Sequence, residues 1–312
     1  MKIGISQCLL GENVRYDGTH KLDRYLRDTL GKFVHWVPVC PEVECGLSIP
    51  REAMRLVGRP ESNRLMTIKT KKDITGKMTQ WAGRRLTQLA GEDLCGFIFK
   101  TRSPSSGMRG VKIYTEKGMP TYAGAGVFAR MFMEKFPEIP VEDDGRLHDD
   151  TLRENFIERI FAFSRWKAFS DDNFSVNGLV FFHTGHKLML MAHSPAHLRV
   201  LGKIVAGANN QDLKNTTREY FNEMMNCLKR HATVKKNVNV LMHCMGYFKR
   251  QLSPEEKKEL LDVIDKYNTS LVPLIVPVTL IKHYVLKYDQ AYLKQQYYLN
   301  PHPAELKLRN HV

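Results

Sequence analysis

Three of the chain's six cysteines, Cys8, Cys40 and Cys45, fall within the first 45 residues, while Cys95, Cys227 and Cys244 are scattered. In a reducing compartment such residues serve as thiols, metal ligands or small buried hydrophobes sooner than as disulfides. Their spacing offers one close pair and no second pair to match it, which is not the pattern of a structural zinc site. Thiolates gathered from separate loops suit an iron–sulfur cluster; the alternative is buried cysteines beside an unrelated site. The cluster reading requires elements that deliver distant positions to one place.

Those elements are legible in the hydrophobic pattern. Lys2 to Ser6, Phe33 to Val39 and Gly96 to Phe99 are short apolar runs. Each is followed by a polar loop containing Gly or Pro: Gln7 to Gly11, Cys40-Pro41-Glu42, and Lys100 with Ser103 to Gly107. Between them Leu22 to Leu30 and Met78 to Leu89 repeat apolar residues at helical spacing. This β-α-β alternation predicts a mainly parallel sheet, whose ligand site lies beyond the carboxyl ends of the strands. Residues 1–140 are therefore read as an α/β domain. The acidic stretch after the prolines at 137 and 140 is read as a linker over 141–150. Residues 151–312 scan as an all-α helical domain, with helices expected over 152–166, 178–205, 213–228, 235–248 and 254–267.

The net charge of +14 is unevenly shared, with 24 Lys and Arg against 19 Asp and Glu before residue 151, and 23 against 14 after it. A surplus on that scale points to a polyanionic partner, because Lys and Arg release counterions when they meet phosphates; the plainer alternative is solubility. No run of 18 apolar residues is present and the chain opens directly on a strand. Neither a membrane span nor a signal peptide is expected, and the protein is expected in the cytoplasm without a membrane partner. The glycine patterns of Walker and dinucleotide-binding loops are missing, which disfavours a nucleotide cofactor, ATP-driven chemistry and hydride transfer.

The motifs carry a resemblance. Cys8-Leu9-Leu10-Gly11 with Arg15-Tyr16-Asp17-Gly18 come first, then Val37-Pro38-Val39-Cys40-Pro41-Glu42 with Gly46-Leu47 and Pro50-Arg51, then Lys100 with Ser103-Pro104-Ser105-Ser106-Gly107. Together they resemble the thiouracil desulfidase family over about residues 1 to 140. Farther on, Phe182-His183-Thr184-Gly185-His186-Lys187-Leu188 and Ala192-His193-Ser194-Pro195-Ala196-His197 resemble a second family, a DUF1722-type helical domain often fused to the first. Proteins with both are similar to the tRNA 4-thiouridine desulfidases. The resemblance implies a [4Fe-4S] cluster held by three cysteines, whose open iron takes the substrate sulfur while water replaces it with oxygen. It implies Cys8 and Cys40 as ligands, Glu42 as proton donor or water activator and Ser103 as a hydrogen-bonding partner at the reacting centre. It also puts Arg15, Asp17 and Lys100 at the substrate. The alternative for Glu42 is a helix-start or turn carboxylate, and without the resemblance Ser103 reads equally well as a turn residue before Pro104.

One position departs from the family. Ser106 stands where the family has a cysteine, and a hydroxyl is a poor iron ligand beside a thiolate. Either an engineered or acquired substitution weakens the cluster, or Cys45 supplies the third thiolate, or the chain has lost the cluster and keeps only RNA binding. The first is preferred, since every neighbour of Ser106 keeps the family pattern. The expected activity is hydrolytic desulfuration of 4-thiouridine in tRNA to uridine. The alternatives are action on a free thiouracil-type base and RNA binding without catalysis.

In the helical half His186, His193 and His197 recur at seven and four residues, sharing one helix face with His183 a turn earlier. With Lys187, Arg199 and Lys203 this face is expected to contact tRNA, His and Arg stacking on bases as well as donating hydrogen bonds. Core histidines satisfied by neighbouring helices are the alternative. The pairs Lys229-Arg230, Lys235-Lys236 and Lys249-Arg250 extend the basic character.

Overall fold

The N-terminal unit is set by apolar runs that must leave water. In chain order it holds strand β1 (Lys2–Ser6), β2 (His35–Val39), the short helix α1 (Pro41–Glu44), β3 (Met54–Arg59), β4 (Ser62–Thr67) and α2 (Thr75–Ala90). β5 (Leu94–Phe99), β6 (Val111–Tyr114), β7 (Pro120–Gly124), α3 (Val127–Lys135) and β8 (Val141–Asp143) follow. The structure is a computed structural model that describes residues 1–60, 62–115, 118–172, 175–209 and 211–311, less the side chains of Ala123, Asp171 and Asp172. It divides into two units, Met1–Asp149 and Asp150–Val312.

Four strands make one sheet in the order β2-β1-β5-β8, every pair parallel. Parallel sheets are covered on both faces, and β5 fits that rule: all six of its residues are buried. Phe97 and Phe99 stack at 4.3 Å, and Phe97 meets Phe132 of α3 at 4.7 Å. α2 adds Met78, Trp81, Ala82, Leu86 and Leu89 to the same core, a stripe at three- and four-residue spacing. Burying each large apolar side chain contributes ~1.5–3 kcal/mol.

The remaining strands form a second sheet, β4-β3-β6-β7, which the sequence pattern does not reveal. β3 and β6 are parallel, while the outer pairs are antiparallel. Two expectations are corrected in this unit. Leu22 to Leu30 is not a regular helix but a π-type turn, Tyr25–Thr29, running into a 3-10 turn, Leu30–Lys32. The stretch read as a linker over 141–150 begins inside the sheet, where β8 pairs with β5 through Phe97 and Val141, Ile98 and Glu142, and Phe99 and Asp143. Glu142 and Asp143 are buried, and the boundary between units falls at 149/150.

The second unit is built of helices: α4 (Asp150–Asp172), α5 (Val176–His193), α6 (Pro195–Ala206), α7 (Leu213–Leu228), α8 (Val234–Gly246), α9 (Pro254–Asn268), α10 (Ile275–Lys287) and the short α11 (Ala291–Lys294). The single helix expected over 178–205 is two. Pro195 disfavours helical backbone in the residue before it, and Ser194 is accordingly extended, with φ −161° and ψ 107°. The Ser194 hydroxyl then accepts from the His197 amide at 3.4 Å and starts α6. α9 opens with a capping box between Ser253 and Glu256. Among the described residues no helix is long and apolar enough to cross a membrane.

Candidate active site

β1 and β2 run side by side with Ser6 opposite Val39, so the residues that follow them emerge at one edge of the sheet. Cys8 lies in the 3-10 turn Gln7–Leu10 and Cys40 immediately precedes α1. β5, the other neighbour of β1, brings Lys100 and the loop after it to the same edge. A cavity of about 370 Å³ opens there, lined by Cys8, Cys40, Glu42, Lys100, Ser103 and Ser106 among others. This is the crevice position that parallel sheets offer to ligands.

The 103–107 loop is clamped from behind. The amides at the start of α3 have no helical partners of their own, and they donate to the loop: Gly126 to the Gly107 carbonyl at 2.7 Å and Phe128 to the Ser105 carbonyl at 2.8 Å. A Cβ on Gly126 would stand 2.4 Å from the Ser105 carbonyl carbon, so a side chain there would expel the loop.

Around Glu42 the hydroxyls form a short relay. Ser105 Oγ donates to Glu42 Oε1 at 2.5 Å, and Ser103 Oγ lies 3.0 Å behind Ser105 Oγ. Ser103 lines the cavity, yet Ser105 is the serine that touches the carboxylate. On the other oxygen, the Cys40 thiol donates at 3.6 Å and Arg51 Nη2 pairs at 3.9 Å. Lys100 donates through Nζ to Asp144 at 2.8 Å and through its amide to Ser6 Oγ at 2.9 Å. Ser6 Oγ is in turn 3.4 Å from Ser106 Oγ. Arg15 lines the cavity, whereas Asp17 does not: it pairs with Arg15 at 3.3 Å and accepts from the Thr19 hydroxyl at 2.6 Å, holding Arg15's loop.

Three further residues belong to the site. Ser105, Arg51 and Asp144 are each bound to a group singled out from the sequence. Arg51 stands in the motif beside Pro50, and Asp144 in the acidic run read as a linker. Arg51 also lines the cavity, and its buried Nε has no hydrogen-bond partner among the described residues.

Residues 3–144 match the family model described as 2-thiouracil desulfurase, and residues 187–303 match the model of a protein of unknown function, DUF1722. The uncharacterized protein YbgA of Escherichia coli K12 is 32% identical over 166 residues, which cover 53% of this chain and 95% of that one. The chain belongs to the family of this relative, with the 2-thiouracil desulfurase match confined to residues 3–144 and the DUF1722 match to residues 187–303. Among solved structures, a [4Fe-4S]-dependent thiouracil desulfidase, TudS, is 28% identical over 47% of this chain and 93% of its own, with a TM-score of 0.39.

In the desulfurase domain the donor set can be tested against an iron–sulfur cluster. Cys8, Cys40 and Ser106 all line the cavity, so two thiols and a hydroxyl are the donors on its wall that correspond to the expected set. Cys45, the alternative third ligand, does not line the cavity. It is packed in the core, off the cavity wall, and its thiol donates to the Glu42 carbonyl at 3.2 Å. The set therefore fits the group through two soft donors and one hard one, a weaker hold than three thiolates. Burial pushes the Cys8 thiol up to about 11 and that of Cys40 up to about 12, so a metal taken up here displaces a proton from each.

In the DUF1722 domain two of the three histidines expected to face RNA lie in the core. His186 is fully buried; its Nδ1 donates to the Phe182 carbonyl at 2.8 Å and its Nε2 accepts from Arg165 at 3.0 Å. His193 sits between the Arg230 carbonyl and Glu158 Oε2, the latter at 3.0 Å, and Glu158 also receives Arg309 Nη2 at 2.6 Å. His183 is bonded to Tyr220 OH at 3.0 Å. His197 belongs to α6 rather than α5, half-buried with Nδ1 2.9 Å from Ser194 Oγ. Lys187, Arg199 and Lys203 are exposed. Helical period correctly puts His186 and His193 on one face; that face points inward, which leaves Lys187, Arg199 and Lys203 exposed to a polyanion.

Proposed function

We propose that this chain desulfurates a thiolated pyrimidine carried in RNA, 4-thiouridine in tRNA being the substrate that suits both domains. The reaction exchanges C=S for C=O with water and releases hydrogen sulfide, with no net oxidation or reduction. The observation that carries the reading is the convergence of Cys8, Cys40 and Glu42 on one cavity in a domain of the desulfurase family.

A [4Fe-4S] cluster held by Cys8 and Cys40, with the Ser106 hydroxyl in third place, would supply a Lewis-acid iron for the sulfur. The chain's own groups account for the rest. Glu42, oriented by Ser105 and Arg51, holds the proton exchanged with the attacking water or the departing sulfur. The Arg51 guanidinium, Lys100 and Arg15 line the cavity and place hydrogen-bond donors around a bound pyrimidine nucleotide. RNA is favoured over a free base by the second domain, where 23 basic residues stand against 14 acidic ones, a surplus that a lone uncharged base would not use.

The test is anaerobic iron–sulfur reconstitution of this chain beside a Ser106→Cys variant, followed by incubation with thiolated tRNA and nucleoside analysis. The expected result is a fuller iron and sulfide content and faster loss of 4-thiouridine in the variant. A loaded variant that converts free 4-thiouracil and leaves tRNA untouched refutes the RNA substrate. Failure of both proteins to hold iron, with tRNA still bound, leaves RNA binding without catalysis.

A further inference from the structure

The DUF1722 domain carries a groove of about 920 Å³ between α4, α5 and the segment 294–300. Its lining is unusual in kind. Four aromatic residues, Phe169, Phe181, Phe182 and Tyr297, line it together with Asn177, Gln295, Asn300, Arg165 and Lys294, and among the described residues the lining contains no carboxylate and no branched aliphatic residue. Phe181 is 69% exposed and Tyr297 36%, so two of the rings offer their surfaces to solvent.

Tyr297 is fastened rather than loose. Its amide donates to the Gly185 carbonyl at 2.9 Å, and a Cβ on Gly185 would come within 3.3 Å of the Tyr297 ring. His186 lies against the ring at 4.4 Å, and the guanidinium of Arg165 sits 4.2 Å from its centroid. Arg165 itself donates to the Pro301 carbonyl, to His186 and to the Met189 sulfur, and among the described residues no carboxylate pairs with it. Burial draws its pKa down to about 10, which still leaves a cation at neutral pH. A half-buried positive charge that no described carboxylate bonds directly, beside exposed aromatic faces, is complementary to a group that is both anionic and flat.

We propose that this groove holds an unpaired nucleotide of an RNA strand, its base stacked on Phe181 and Tyr297 and its phosphate drawn to Arg165. The proposal rests on RNA being the partner, as argued above, and adds where a base is gripped. Base stacking on aromatic side chains and charge on the backbone are the two means by which proteins hold single strands. Carboxamides such as Asn177 and Gln295 supply donors and acceptors for base edges. A lipid chain or an apolar helix would look for aliphatic walls, which the described residues of the groove do not supply.

The test uses the full chain with short single-stranded RNA containing 5-iodouridine, combining photo-crosslinking, peptide mapping and binding titrations. Adducts are expected on the peptides carrying Phe181 or Tyr297. Phe181→Ala should weaken binding by roughly fivefold or more, while Phe181→Trp retains it. Phe181 is exposed, so neither change threatens the fold. RNA bound with equal affinity by Phe181→Ala, with adducts elsewhere, overturns the groove and leaves the RNA partner standing. No binding of RNA by the unaltered chain overturns both.

Discussion

Ser105 Oγ and Glu42 Oε1, separated by 63 residues in sequence, stand 2.5 Å apart at the cavity wall. The hydrogen bond fixes one carboxylate oxygen, while Arg51 and the Cys40 thiol address the other. An acid–base group held from both sides is presented in one orientation, which proton transfer to a bound ligand requires.

In the Ser106→Cys background, Glu42→Gln should retain iron and lower turnover by about 10²–10⁴-fold, the range for losing a general acid or base. Ser105→Ala should have a smaller effect, roughly 10- to 100-fold, since it removes one hydrogen bond to a charged group. Single-turnover loss of 4-thiouridine measures both, and a Ser105→Ala rate equal to the parent's reduces the contact to packing.

Two cysteines five residues apart should behave differently. Cys40→Ala removes a thiol that faces the cavity and should abolish iron uptake in the Ser106→Cys background. Cys45→Ala should leave iron content unchanged, because that thiol points to the Glu42 carbonyl away from the cavity. Iron lost equally from both variants would return Cys45 to the ligand set.

The helical domain should be most stable near neutral pH. Burial lowers His183 to about 4, and lowers His186 and His302 as well. Unfolded chains protonate these rings below about 6.5 while the folded domain does not, so stability is lost as pH falls from there towards 4. His311 moves the other way: its bond to Glu154 raises it, and its contribution is lost as pH rises through the folded value. Glu158 titrates below this window, because Arg309 and His193 outweigh its burial and hold it low. Thermal unfolding followed between pH 5 and 8 should give a maximum near neutrality, and a melting temperature higher at pH 5 than at pH 7 would contradict it.

The chemistry-bearing loops were legible because each follows a short apolar strand, and strand ends that share a parallel sheet share an edge. The convergence of Cys8 and Cys40 followed from strand order alone, whereas their reading as ligands came from the resemblance. The second sheet was hidden because its strands are short and bury few apolar residues, as in Met54–Arg59, where Leu56 alone is buried. Asp143 and Asp144 looked solvated because their partners, Thr101 and Lys100, lie more than forty residues away. His186 and His193 show what period alone omits: α5 is apolar around most of its circumference, with Phe181 outside and Phe182 inside, so spacing shows which residues share a face without showing which face is buried.

β8 has a consequence for how the protein can be made and divided. Its three residues are the last strand to be synthesised in the first domain and the ones that cover the edge of β5. On the ribosome, the domain cannot close its sheet or neutralise Lys100 until residue 144 has cleared the exit tunnel. A gene cut after residue 140 would release a sheet with a raw edge, which invites strand pairing between copies, while a cut at 149/150 keeps the sheet whole.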